Sequence, residues 1–588
     1  MCGIGGVILK RRSATDRDGM MRRLRASLAH RGRSSAGGFT DERAALHCAR
    51  HAVIAVEDAR QPLLDSRRNL VMVGNGEILN YRDLVRRLPP ERARRLRPGD
   101  LQVALELYAE RGADAFEELR GPFALAAWDS RAGELTLVRD RLGERPLYYY
   151  DSPDFFAFAS EIRCLAAALP PGLLHRDEAA LLSFLGLGRM TDGRTPYREI
   201  RTVPAGAVLR IGGAGAGPRQ LASLTPVSGL RPAPAGLEEI DELLARAHRR
   251  ALVADQPVAV GFSGGIDSTA VLRAAQGGAG AAAVVTVYSE LAPASDINLH
   301  RARELAPVLG VELTEVPFRM PTLDGAEDIL NTTLDGPAAE PLVLHNDTLH
   351  AAARDHSAVL LGGHGADEVF GGYVRYAALR AEAEAVPTPK WLASSAWERW
   401  NRAAGWQRFL RDFGAPDLAA AAPVPADPLE RPFPYADAEE GDRVLFGQAL
   451  DLFRLMTYDN FRATDENGIA RQVEVRSPFF DIDLVAGIYS LPVADRLGQG
   501  TPKPLLRRAF QGTPLAGAFT ERKVGFDDHF SYSDWMVENW PRFSSAIVDG
   551  PLKGTGILRD GALDRLQERD WRTLWRLFSL STWLTRAD

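Results

Sequence analysis

The sequence predicts two domains of different construction. An α+β domain takes residues 1–210. An α/β domain with a doubly wound parallel sheet and a helical C-terminal region takes residues 237–588, after a linker over 211–236. Three observations carry this reading. The first 210 residues read as short strands with turns and few helices. Gly212-Gly213-Ala214-Gly215-Ala216-Gly217-Pro218, with Pro226, Pro232 and Pro234 after it, then breaks the pattern. From Leu237 helices alternate with strands, the order that a parallel sheet requires. A chain of 588 residues is also too long for one core.

In the first domain, Leu70–Val73, Phe123–Trp128, Leu135–Val138 and Phe155–Ala159 are rich in β-branched, aromatic or leucine residues and read as strands. Helices are expected near Asp16–Ala29 and Leu101–Arg111. In the second domain, a helix over Leu237–Leu252 precedes a strand over Val258–Phe262. Further strands are expected at Ala282–Tyr288 and Ala358–Leu361. A Pro/Ala-rich stretch from Pro416 to Pro434 reads as a loop or insertion, and the remainder to Asp588 as mostly helical.

Composition excludes several classes. A net charge of -6 gives no reason to expect nucleic acid as a partner. Of the 3 cysteines, Cys2, Cys48 and Cys164, none forms a CxxC pair, so neither a zinc site nor a disulfide framework is indicated. That usage fits a reducing cytoplasm. The N-terminus lacks a signal-peptide apolar region, and no apolar run is long enough to span a membrane.

Three segments carry chemistry. Cys2 follows Met1 directly, and removal of Met1 ahead of a small residue would leave Cys2 N-terminal. Its thiolate would be the nucleophile and its own α-amine the general base. The strand Val258–Phe262 runs into Ser263-Gly264-Gly265-Ile266-Asp267-Ser268 and then a helix. Backbone N–H groups at such a helix start hold phosphates. The Ser263 and Ser268 hydroxyls add donors, and Asp267 can ligate Mg²⁺. The loop lacks the Gly-Lys-Ser/Thr end of a Walker A motif and the GxGxxG of a dinucleotide fold. A second strand ends in Gly362-Gly363-His364-Gly365-Ala366-Asp367-Glu368, where Asp367 facing Asp267 would suit a shared Mg²⁺.

The first of these loops resembles the pyrophosphate loop of the N-type ATP pyrophosphatases. Together the segments resemble the glutamine-dependent asparagine synthetase family over nearly the whole chain. The resemblance implies an N-terminal nucleophile (Ntn) glutaminase domain followed by an ATP-pyrophosphatase domain. It implies ATP, Mg²⁺, and glutamine as ammonia donor. Cys2 then matches the glutaminase nucleophile, and Asn75 and Gly76 the oxyanion hole. Arg50, Glu77 and Asp100 match the glutamine-binding set. Ser263, Gly264, Gly265, Asp267, Ser268, Val287 and Gly363 match the ATP site, with Asp267 and Asp367 on the metal. Lys523 in Lys523-Val524-Gly525-Phe526 matches the lysine expected at the adenylate and pyrophosphate. Arg139–Gly143 and Phe158–Ile162 match structural or interface strings.

The departures are specific. The family's His-Arg-Gly-Pro-Asp loop reads His30-Arg31-Gly32-Arg33-Ser34. Gln102 stands where an acid is frequent. Asp-Arg-x-Ser-Met becomes Asp465-Glu466-Asn467-Gly468-Ile469. His364 occupies a position that holds Glu in asparagine synthetases and Tyr in β-lactam-forming relatives. A neutral imidazole is a competent base near neutrality. The expectation is a glutamine-hydrolysing, ATP-dependent amide-forming ligase that adenylates a small-molecule or peptide carboxylate, not necessarily aspartate. An intramolecular amide former, such as a lasso-peptide isopeptide cyclase or a β-lactam-synthetase-like enzyme, is the alternative. A non-catalytic scaffold is a third reading. Family members are often homodimers, which the resemblance carries over as an expectation.

Overall fold

The computed structural model describes residues 1–11, 15–65, 69–94, 96–190, 193–212, 217–230, 235–278, 280–291, 293–383, 442–498, 502–519, 532–553, 555, 557–558 and 571–587. Its first half holds β1 (Gly3–Leu9), β2 (Ser35–Thr40), β3 (Ala44–Arg50), β4 (Leu63–Leu64), β5 (Leu70–Gly76), β6 (Phe123–Asp129), β7 (Glu134–Arg139), β8 (Tyr148–Asp151), β9 (Phe155–Ala159), β10 (Ile200–Thr202), β11 (Ala207–Ile211) and β12 (Arg219–Ser223). They form two antiparallel six-stranded sheets, ordered β10-β8-β9-β1-β3-β2 and β12-β11-β7-β6-β5-β4.

The inner strands, such as β1, β3, β5, β6 and β7, are buried on both faces, so each sheet must be covered twice. Cys2, Ile4, Leu46, Val71, Trp128 and Phe158 help to fill the space between the sheets. The helix Arg17–Leu28 covers the outer face of the first sheet through Met20, Met21, Leu24 and Leu28. The helix Asp100–Arg111 covers the second through Leu101 and Leu105. The layers run helix, sheet, sheet, helix.

The second half holds β13 (Val258–Gly261), β14 (Ala281–Ser289), β15 (Leu313–Phe318), β16 (Val359–Leu361) and β17 (Glu474–Arg476). All pair in parallel, in the order β15-β14-β13-β16-β17. The chain runs outward from β13 on one side and restarts at β16 on the other. The carboxyl ends of β13 and β16 therefore bound a crevice, where open α/β sheets bind ligands. Along β14, Val284 faces one core with Ile240, Leu243 and Leu244 of the helix Leu237–Ala251. Ala283, Val285 and Val287 face the other, shared with the helix Trp571–Ala587. Trp575 and Trp583 of that helix donate their indole N–H groups to the Ala338 and Asp335 carbonyls, both at 3.0 Å. The rings bury apolar surface while their N–H groups stay paired.

The stretch 211–236 is more than a linker. β12 lies inside it and pairs with β11, with Ala207 opposite Ser223, so the second sheet runs past residue 210. β12 alternates exposed and half-buried side chains, as an edge strand does, and its Gly- and Pro-rich flanks mask it in the sequence. The expected loop Pro416–Pro434 lies outside the described residues. No described helix is long and apolar enough to cross a membrane.

Candidate active sites

The first site lies where β1 begins. Cys2 sits just ahead of the first β1–β3 pair, Gly3 opposite Ala49. Gln61 ties it to β5: its amide nitrogen lies 3.8 Å from Cys2 Sγ and donates to the Gly74 carbonyl at 3.0 Å, while its oxygen accepts the Gly74 N–H at 2.7 Å. The Cys2 thiol is lowered to about 6. A hydrogen bond with Cys48 is the main cause; burial opposes it, and the N-terminal ammonium and Arg50 assist. That ammonium is the Met1 amine, and removal of Met1 would put the amine on Cys2 itself.

Asn75 and Gly76 end β5 beside Gln61. Among the described residues nothing hydrogen-bonds the Asn75 side-chain nitrogen or oxygen, although both are buried. Leaving a buried amide bare costs ~1–3 kcal/mol, which a ligand can recover. Gly76 has φ +112, and a Cβ there would lie 2.0 Å from the Pro122 carbonyl, so no other residue fits. The Arg50 guanidinium donates to the Ile54, Ala55 and Val56 carbonyls at 2.8, 3.0 and 3.2 Å. Asp100 accepts the Ile78 N–H at 2.6 Å, and burial pushes its carboxyl up to about 6. Burial and the adjacent Glu474 push Glu77 well above the usual carboxylate range.

The second site lies in the crevice. Ser263–Ser268 turns from β13 into the helix Ile266–Gln276, and the Ser268 hydroxyl accepts the Ser263 N–H at 3.2 Å. Gly363, after β16, packs against this loop: a Cβ on it would lie 2.9 Å from Asp267 Cβ. Gly264 and Gly265 form the turn itself, while Val287 is buried on β14, next to β13. Asp267 and Asp367 do converge, and the group between them is Lys503. Its ammonium lies 2.6 Å from Asp267 Oδ2 and 2.8 Å from Asp367 Oδ1. Burial opposes that charge, but the two carboxylates outweigh it and hold the lysine above its ordinary range.

Lys503 was not among the sequence candidates. Lys523, which was, lies outside the described residues. His364 has a pKa lowered by burial, so its ring is neutral at neutral pH, and its Nδ1 meets no hydrogen-bond partner among the described residues. Its carbonyl accepts the Ser477 hydroxyl at 2.6 Å. Two carboxylates aimed at one cation suit the one or two that a nucleotide-borne Mg²⁺ takes from a protein. Among the described residues no group of three or more His, Cys, Asp or Glu forms a complete protein cage for a metal.

Buried charges join the two sites. The Met1 ammonium lies 2.9 Å from Glu474 on β17. Arg476 donates to Glu474 at 2.6 Å and lies 3.6 Å from Glu77. Arg31 donates to the Cys2 carbonyl at 3.1 Å, to Glu161 at 2.7 Å and to Asp465. Arg145 lies 3.5 Å from Asp465 and 3.4 Å from Glu474. The two altered strings, His30–Ser34 and Asp465–Ile469, thus meet at one ion pair.

The family models divide the chain where these two sites do. Residues 1–220 match the glutamine amidotransferase domain, and residues 239–585 match asparagine synthase. The chain belongs to the asparagine synthase family. Glutamine-hydrolysing asparagine synthetase 1 of Bacillus subtilis is 24% identical, over 99% of this chain and 96% of its own length. Asparagine synthetase 3 of the same organism is 26% identical, over 87% and 84%. Asparagine synthetase B of Escherichia coli is 26% identical over 64% of this chain and 65% of its own. The first domain is therefore a glutamine amidotransferase domain, and the asparagine synthase domain follows it.

Proposed function

We propose that this protein is a ligase that adenylates a carboxylate with ATP and amidates it with ammonia released from glutamine. The observation that carries this reading is the path between the two sites along β17. Arg476 reaches Glu77 and holds Glu474, which Arg145 also approaches, and the next residue, Ser477, holds the loop of His364.

At the first site the Cys2 thiolate attacks the glutamine side-chain amide. The Asn75 amide and the Gly76 N–H receive the oxyanion. Arg50, Glu77 and Asp100 hold the glutamine α-carboxylate and α-amine. Ammonia crosses the buried interface to the second site. There the N–H groups of Ser263–Ser268 hold the phosphates at the helix start, and Lys503 neutralises charge on them. Asp267 and Asp367 would hold Mg²⁺, which supplies charge neutralisation on the nucleotide. His364, neutral and with Nδ1 unpartnered among the described residues, takes the proton from the attacking amine.

An imidazole in place of a carboxylate favours an acceptor other than aspartate. The same observation supports a second reading, in which the nucleophile is an amine of the substrate itself and the product is a cyclic amide.

ATP–pyrophosphate exchange with a panel of acceptors tests both. The panel holds aspartate, other small dicarboxylic acids and carboxylate-bearing peptides, with glutamine consumption followed in parallel. The expected result is exchange with a non-aspartate acceptor and glutamine consumption that tracks amide formation. Exchange with glutamine left untouched supports ring closure. Exchange with aspartate alone restores plain asparagine synthesis, and no exchange with any carboxylate refutes the ligase.

A further inference from the structure

Cys48 has no part in the proposed reaction, yet it lies in the same apolar layer as Cys2. The antiparallel register of β1 and β3 places Ile4 opposite Cys48 and Gly3 opposite Ala49. Side chains two apart on a strand share a face, so Cys2, Ile4 and Cys48 point the same way. All three lie in the apolar layer between the sheets. The interaction with Cys48 lowers the Cys2 thiol, and burial holds the Cys48 thiol protonated. Three buried free thiols exist among the described residues, and the third, Cys164, sits elsewhere, against Ser27 and Glu161.

We propose that Cys2 and Cys48 form a reversible disulfide that shuts the first site when the protein meets a peroxide. This rests on Cys2 as the reactive thiol of that site. Diagonal neighbours on an antiparallel pair have Cα atoms ~7–8 Å apart. A disulfide needs ~4.4–6.8 Å. Closing the gap takes a backbone movement of Cys2, which precedes the first ladder pair and whose carbonyl Arg31 holds at 3.1 Å, so that bond must lengthen as the disulfide forms.

The chemistry balances with a peroxide as oxidant. The Cys2 thiolate attacks one peroxide oxygen, the O–O bond breaks, and the other oxygen leaves as hydroxide. Cys2 is now a sulfenic acid. The Cys48 sulfur attacks the Cys2 sulfur, the S–S bond forms, and the S–O bond breaks. The Cys48 proton leaves with that hydroxyl as water. Two electrons have passed from the thiol pair to the peroxide, and a thiol reductant returns them by exchange. A transient, sensing disulfide is the kind that reducing compartments allow. Cys48 thereby spares the nucleophile the irreversible steps to sulfinic and sulfonic acid.

The test exposes the full chain to graded hydrogen peroxide and reads intact mass and peptide maps. The expected wild-type product has lost two hydrogens and carries a Cys2–Cys48 linkage, with Cys164 still reduced. Dithiothreitol restores both thiols and the labelling of Cys2 by iodoacetamide. In Cys48→Ala, Cys2 instead gains two or three oxygens and dithiothreitol restores nothing. Cys48→Ser, which keeps a hydroxyl in the same space, should behave alike and stands in if the alanine variant misfolds. Wild type that goes to sulfinic acid with no Cys2–Cys48 link overturns the proposal. So does full recovery in both Cys48 variants. Glutamine hydrolysis by untreated protein is scored separately, so its absence counts against the glutaminase reading and leaves the linkage result to stand.

Discussion

The two sites rest in opposite states. Beside Cys2 the Asn75 amide is buried and bare, and Gly76 holds a backbone that only glycine accepts. In the crevice the lysine is already satisfied, with Asp267 and Asp367 both on its ammonium. The difference follows from what each site can leave unpaired. A bare buried amide costs ~1–3 kcal/mol. Removing one partner from a buried ion pair costs ~3–5 kcal/mol. A site for a neutral substrate that becomes an oxyanion can therefore wait empty-handed. A site for polyphosphate must keep its cation paired until the anion arrives. On the proposed function, the first site is pre-formed, and the second would exchange an internal partner for its ligand.

The contrast breaks or sharpens at five points. Lys503→Met should give the largest effect: pyrophosphate release stops, and the two facing carboxylates lose their cation, costing ~3–5 kcal/mol of stability in a denaturant melt. Its counterpart Cys2→Ala should end glutamine hydrolysis while ammonia-dependent amide formation continues. Loss of both activities in Cys2→Ala would show that the sites are not separable.

His364→Gln should lower amide formation ~10²–10⁴-fold and spare pyrophosphate exchange. Burial lowers the imidazole pKa, so wild-type activity should hold at neutral pH and fall on an acid limb below the ordinary histidine range. That limb should vanish in the variant, and unchanged product at every pH would leave His364 as a turn residue.

Asn75→Ala should cost ~10²–10³ in kcat for glutamine hydrolysis, with KM little altered, because the amide acts on the developing oxyanion. A rise in KM alone would move Asn75 to ground-state binding. The smallest effect is expected from Cys48→Ala. The Cys2 thiolate forms as pH rises through about 6, and loss of the Cys48 hydrogen bond should move that midpoint up. Iodoacetamide labelling across pH measures it, and an unmoved midpoint would leave the lowered thiol to Arg50 and the terminal ammonium.

Much of this was legible because it is local. Ser263–Ser268 is one string after one strand. Asn75-Gly76 ends a strand whose apolar run is plain, and observed strands and helices start or stop within a few residues of the sequence reading. What was missed is long-range. Lys503 reaches partners far away in the chain, and its local context, a lysine between Pro502 and Pro504, says nothing of them. The sign it carries is a positive φ of 55, which exists only in the folded chain. Cys48 is one cysteine in an apolar strand until the register sets it diagonal to Cys2. The altered strings at residues 30–34 and 465–469 read as separate departures, though Arg31 and Asp465 are one contact.

That contact limits how the protein can be cut or recombined. Arg31 and Asp465 are fully buried, on opposite halves of the chain. A glutaminase half made alone would present Arg31, Arg145 and Glu77 on a raw face with their partners gone. The synthetase half would present Asp465 and Glu474. Neither piece is a module to be lifted into another enzyme as it stands, and a chimaera with a relative needs position 31 and position 465 drawn from the same parent.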